Sequence, residues 1–176
     1  RDGTEIEFMR QVIRRLKLLP EDTSLDNWPW PMRLYGLGRF YLARDGESPH
    51  VETRAQRKLL KLLDVLVAFG RSDVQVEHIT WILWPDAEGD AAVSAFTTTV
   101  SRLRKLIGHD ALTIKRGRVS LNQRRCWVDV SALERLLDRG AEVRVPVVLH
   151  RLGDRIQDLY RGPFLGDEEG NWPRPL

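Results

Sequence analysis

The chain has 176 residues, a formal net charge of +3 and 30% charged side chains, enough length to bury one core and part of a second. A single cysteine, Cys126, excludes an internal disulfide and any cysteine-based metal cage, and suits a reducing cytoplasm. The longest apolar run, Leu62 to Phe69, contains Asp64 and is too short to cross a bilayer, and no signal-peptide pattern opens the chain.

In chain order, the spacing of Ile6, Met9, Val12, Ile13 and Leu16 predicts a helix over Glu5–Leu19, closed by Pro20. The connector EDTSLDNWPWP follows, in which Pro29 and Pro31 force extended backbone and Trp28 and Trp30 are expected to plug onto a neighbouring surface. Met32 to Val51 alternates as strands of a small antiparallel sheet, with Asp45-Gly46 as a hairpin turn. Thr53 and Gln56 spell a capping box for a helix that carries Leu59, Leu62, Leu63, Leu66 and Val67 inward and stops at Gly70. Asp73–Gln75 is short enough for one strand, and Val76, Ile79, Ile82 and Leu83 predict a second helix that Pro85 ends.

The charge surplus lies in the next stretch. Residues 90–121 carry six basic side chains (Arg102, Arg104, Lys105, Lys115, Arg116, Arg118) against two acidic ones, Asp90 and Asp110. A basic patch confined to one supersecondary unit is a footprint for a polyanion, because each cation docked on a phosphate releases a condensed counterion. Val93, Phe96, Val100, Leu103 and Ile107 predict a helix with an apolar stripe, N-capped by Asp90 and stopped at Gly108. Opposite that stripe lie Ser94, Thr98, Ser101, Arg102 and Lys105, a face without an acid. Short hydroxyls permit close approach to base edges, and Arg102 has the fork to grip guanine. Thr97, Arg104 and Lys105 are placed to hold phosphates. Leu112–Lys115 and Arg118–Leu121, joined by Arg116-Gly117, read as a hairpin with Lys115, Arg116 and Arg118 at its tip.

Sheet, helix, short strand, helix, helix, hairpin specifies an α+β winged helix-turn-helix with an N-terminal antiparallel sheet, its third helix entering the major groove. From Asn122 the charge is balanced. Ser131 with Glu134 predicts a capped helix burying Leu133, Leu136 and Leu137, and Pro146 starts another with Leu149, Leu152, Ile156 and Leu159. An antiparallel helix pair of this kind exposes an apolar side, which Tyr160, Phe164 and Trp172 are expected to cover in part.

The words WPWPMRLYGLGRF, LWPDAEGDAA, SRLRKLIG, GRVSL, CWVDVSALERLL and LYRGPFLGDEE, in this order, resemble the OmpR/PhoB-type winged-helix domain. The resemblance is closer to the version in MalT-like and SARP-type bacterial regulators. It implies that the SRLRKLIG helix is the recognition helix and GRVSL the wing, and that CWVD opens a tetratricopeptide-like helical repeat, the bacterial transcriptional activation domain. The loop with Asp86 and Glu88 would then touch RNA polymerase. Gln75 departs from the pattern, standing where a Ser or Thr cap is usual.

The implied organisation is a helix and Pro/Trp linker from an upstream domain (1–31), the winged helix (32–121) and the start of the activation domain (122–176). With Arg1 first and a last stretch running through Trp-Pro-Arg-Pro, we expect a piece of a longer cytoplasmic regulator. Catalysis is not expected: the four histidines are scattered, no Ser-His-Asp or Cys-His word occurs, and Asp86, Glu88 and Asp90 lack the glutamate of a calcium loop. No metal or cofactor is expected, and no phosphate-binding Gly-rich loop is present. The expected partner is double-stranded DNA, bound in two-fold or tandem fashion, since one module reads few base pairs. The competing reading is a protein-interaction module with the winged helix as scaffold. RNA is disfavoured because no aromatic stacking platform accompanies the basic face.

Overall fold

A computed structural model describes residues 2–38, 40–44 and 54–166, with backbone alone at 2 and 54–56. The expected Asp45-Gly46 turn, the Thr53–Gln56 capping box and Trp172 lie outside the described residues. The chain divides into two compact units: one uses residues up to Arg44 and then Gln123–Gly166, the other Arg54–Asn122. Among the described residues, no helix is long and apolar enough to cross a membrane.

The first unit opens with α1 (Asp2–Leu16), which starts and stops three residues before the expected span. Its end is set by Lys17, which turns into left-handed backbone (φ 51°), so that the Leu18 N–H donates back to the Ile13 carbonyl at 3.0 Å, and the helix closes before Pro20 is reached. Strands β1 (Met32–Tyr35) and β2 (Tyr41–Arg44) pair antiparallel, with Tyr35 opposite Tyr41. A third strand, β6 (Cys126–Val128), lies parallel to β1 with Met32 opposite Cys126. The sheet is therefore mixed rather than purely antiparallel.

Trp30 and Trp127 are almost fully buried with Ala132, and Trp28, Tyr35 and Leu159 pack on them, so both connector tryptophans plug onto a neighbouring surface. The β1 end is held by Asp129, whose carboxylate accepts the N–H groups of Gly36 and Leu37 at 2.8–2.9 Å and of Val130 at 2.7 Å. Asp129 begins α5 (Asp129–Glu142), so Ser131 and Glu134 sit inside the helix, and no side chain caps its Val128 N-terminus. Pro146 opens α6 (Pro146–Leu159) as expected. In the hairpin Leu136 and Leu152 are buried while Leu137 is 53% exposed; Tyr160 is half-exposed, and the partly exposed Phe164 ring packs against Gly36.

The second unit is a winged helix-turn-helix. α2 (Arg54–Ala68) is its central helix, with Leu62, Leu63, Val65 and Leu66 at 0% exposure. Gly70 (φ 86°) ends it in a left-handed turn in which the Arg71 N–H reaches the Leu66 carbonyl at 2.7 Å. β3 (Val74–Gln75) leads into α3 (Val76–Leu83), whose start at Gln75 lacks a side-chain cap, as that residue type implies. A turn through Pro85–Glu88 joins α3 to α4 (Gly89–Ile107). After a 3-10 turn, β4 (Leu112–Lys115) and β5 (Arg118–Leu121) form the wing, and β3 pairs with β5 to give the order β3-β5-β4.

Candidate nucleic-acid interface

The inner face of α4 is not quite the stripe that hydropathy draws. Phe96, Val100 and Leu103 are buried, yet the row begins at Ala92 and includes Thr99, while Val93 is 51% exposed and Ile107 half-buried. The 3.6-residue repeat simply runs one residue earlier than the larger side chain suggests. Thr99 is tolerated inside because its hydroxyl donates to the Ala95 carbonyl at 2.8 Å. The helix starts at Gly89 with Glu88 in the cap position, so Asp90 is not the cap; it stands in the first turn, where a carboxylate complements the helix dipole. It is exposed and one turn before Ser94, so it closes one end of the polar face with a negative charge.

Ser94, Thr98, Ser101 and Lys105 fall along one line of α4 and all four are exposed. Arg102 and Thr97 flank that line on opposite sides, also exposed. The Thr97 hydroxyl is spent on the Val93 carbonyl at 2.9 Å. Arg104 is placed differently from its neighbours: it is half-buried, and its Nη2 donates to the Leu112 carbonyl at 3.1 Å, tying the end of α4 to the base of the wing. Arg102 and Lys105 have no hydrogen-bond or ion-pair partner among the described residues.

The wing turn is two residues long. Arg116 (φ 49°) and Gly117 (φ 71°) both adopt the left-handed backbone that a tight hairpin of matching twist demands, and Lys115 faces Arg118 across it. Lys115 and Arg116 are exposed and unpaired among the described residues. Arg118 is not free: its Nη1 lies 3.0 Å from both the carboxylate and the carbonyl of Asp73, a residue 45 positions earlier. The cationic tip thus consists of two side chains and a third that is already engaged.

Asp86 and Glu88 are exposed in the turn between α3 and α4, which the Ala87 N–H closes onto the Trp84 carbonyl at 3.1 Å. On the helices either side of this turn stand two exposed apolar residues that the sequence reading did not single out as surface features, Trp81 (65% exposed) and Val93. Trp81 sits among Ile79, Ile82 and Leu83, so periodicity alone does not mark it as outward. Cys126 is buried, and burial pushes its thiol well above its ordinary value, so it is no thiolate nucleophile. Among the described residues, no group of three His, Cys, Asp or Glu side chains is placed to hold a metal ion.

No protein-family model and no curated protein matches the sequence. Among solved structures, the chain is similar to Mycobacterium tuberculosis EmbR, determined in complex with a low affinity phosphopeptide, at a TM-score of 0.60 and 22% identity. The match covers 78% of this chain and 38% of EmbR, so the chain spans well under half the length of that protein. The likeness is one of fold.

Proposed function

We propose that the winged-helix unit binds double-stranded DNA sequence-specifically, as part of a bacterial transcription regulator of the MalT-like and SARP-like kind. In this reading α4 lies in the major groove, with Ser94, Thr98, Ser101 and Arg102 toward base edges and Lys105 toward phosphates, while the Thr97 hydroxyl and Arg104, both engaged within the protein, are not available to them. The wing, through Lys115 and Arg116, enters a minor groove. The observation that carries it is the outer face of α4 beside the wing. From Ser94 to Lys105 that face holds no carboxylate, and Arg102, Lys105, Lys115 and Arg116 have no protein partner among the described residues. A solvated helix has no reason to exclude acids while leaving its cations unpaired, whereas a polyanion reader does.

The remaining assignments follow the resemblance of the sequence words. Residues 1–31 serve as a linker from an upstream domain, 32–121 as the DNA-binding domain, and 122–176 as the beginning of a helical activation domain, in a cytoplasmic protein that binds its sites in pairs. A mobility-shift titration of the chain against DNA upstream of its own gene and neighbouring genes tests the proposal. A shifted band that survives random competitor DNA and weakens steeply with salt is expected; binding that random DNA abolishes would contradict sequence specificity.

A protein contact is supported by a separate observation. Exposed Trp81 and Val93 stand on the helices that flank acidic Asp86 and Glu88, a pattern suited to a basic, partly apolar protein surface such as RNA polymerase presents. Replacing Asp86 and Glu88 together by Ala should lower transcription from the target promoter and leave promoter affinity unchanged. A parallel loss of DNA affinity would place the turn on DNA instead.

A further inference from the structure

Helix α1 displays an apolar face that the first unit does not bury. Ile6, Met9 and Leu16 are 54–62% exposed, and none of the helix's described side chains is fully buried. Ile6, Met9 and Ile13 line one side of a groove of about 400 Å³ whose other wall is Asn27, Trp28 and Pro29. The spacing Ile6, Met9, Ile13, Leu16 is 3-4-3, the a-d-a-d repeat of a heptad, with β-branched Ile at both a positions and Met or Leu at d. That distribution favours a parallel, two-stranded coil. Phe8 stands off the seam and takes no part in it.

Charge selects the occupant. With Ile6 at a, Glu5 falls at g and Arg10 at e, and both line the same groove. In a parallel pair, g of one helix meets e five residues on in its neighbour, so Glu5 would face Arg10 of the second helix, twice by symmetry. An antiparallel pair would instead set Arg10 against Arg10. Glu7, on the outer side, approaches Arg10 at 3.8 Å and Arg14 at 3.0 Å within the helix, and Glu5 has no ion-pair partner on its own chain among the described residues.

We propose that α1 is a dimerisation helix whose exposed a/d face pairs in parallel with α1 of a second copy of this chain, registered by Glu5 against Arg10. This assigns a surface to the paired DNA binding proposed above, although the pairing itself does not depend on DNA. Two heptads make a weak coil, so the dimer should form and dissociate within an accessible concentration range.

The test is sedimentation velocity of the whole chain without DNA, which separates a failure here from a failure of the DNA reading. A shift from 20.4 kDa to twice that mass with rising concentration is expected. Met9→Asp should hold the chain monomeric with an unchanged melting curve, since Met9 is 56% exposed. Glu5→Arg alone and Arg10→Glu alone should each weaken the dimer about ten-fold, by replacing two attractive pairs with two repulsive ones. Mixing these two variants should restore dimerisation, because a mixed parallel pair has complementary charges at both g–e contacts. A chain that stays monomeric throughout, or a dimer indifferent to Met9→Asp, would overturn the proposal. Association unaffected by Glu5→Arg would overturn the parallel register.

Discussion

In the unit built on β1, one cluster of arginines is fastened. Arg33 Nη2 donates to the carbonyls of Asp26 and Trp28 while its guanidinium lies 4.9 Å from the Trp127 ring, and both Arg135 and Arg155 converge on the Asp26 carboxylate, which also accepts the Trp127 Nε1–H at 3.0 Å. In the unit built on α4, Arg102 and Arg116 are left without partners among the described residues, in a stretch, 90–121, that holds six basic side chains and only two acids. Arginine is the same chemical group in both settings. The difference shows that composition and pI do not locate a nucleic-acid surface; the distribution of carboxylates around the cations does.

The largest expected effect breaks the fastened side. Asp26→Ala removes the acceptor shared by Trp127, Arg135 and Arg155 and should cost the first unit about 1–3 kcal/mol, a range kept low because the two arginine side chains are 36% and 50% exposed. Unfolding followed by tryptophan fluorescence reads this directly, and DNA affinity should not change. An effect on DNA binding equal to that on stability would mean that the fastened cluster is itself part of the interface.

A smaller effect sharpens the unfastened side. Lys115→Ala with Arg116→Ala should weaken binding to specific and random DNA alike and make the salt dependence shallower by roughly one to two units. Arg118→Ala should move that slope by less than half as much, because its guanidinium is already neutralised by Asp73. Equal slopes for the two variants would show that the Arg118–Asp73 pair opens on DNA.

The elements of the second unit were legible because each is set locally: α2 by its leucine spacing, α3 by Pro85, the wing by Arg116-Gly117. What escaped were choices between similar neighbours and partnerships across distance. Ala92 and Val93 compete for the same inward position, and hydropathy favours the wrong one. Asp90 is a better cap residue than Glu88, yet the helix begins one residue before it. Parallel pairing of β6 with β1, the Asp129 clamp on Gly36 and Leu37, and the capture of Arg118 by Asp73 join residues 45 or more positions apart, which no periodicity encodes. Arg104 and Arg102 are two residues apart with the same side chain, and only the path of β4 decides which one is tied down. The expected positions of Ser94, Thr98, Ser101 and Arg102 are all exposed on α4, because that face follows from helical geometry alone.

The central claim is that this outer face reads bases, and Arg102→Ala tests it most directly. The variant's affinity for the cognate site and for random DNA is measured beside its melting curve. Loss of about 1–3 kcal/mol on the cognate site, far less on random DNA, and an unmoved melting temperature are predicted, since a base contact contributes specificity and an exposed helical arginine contributes little to folding. Equal losses on both DNAs would reduce Arg102 to a phosphate contact. No loss on either would contradict the DNA-reading account of α4.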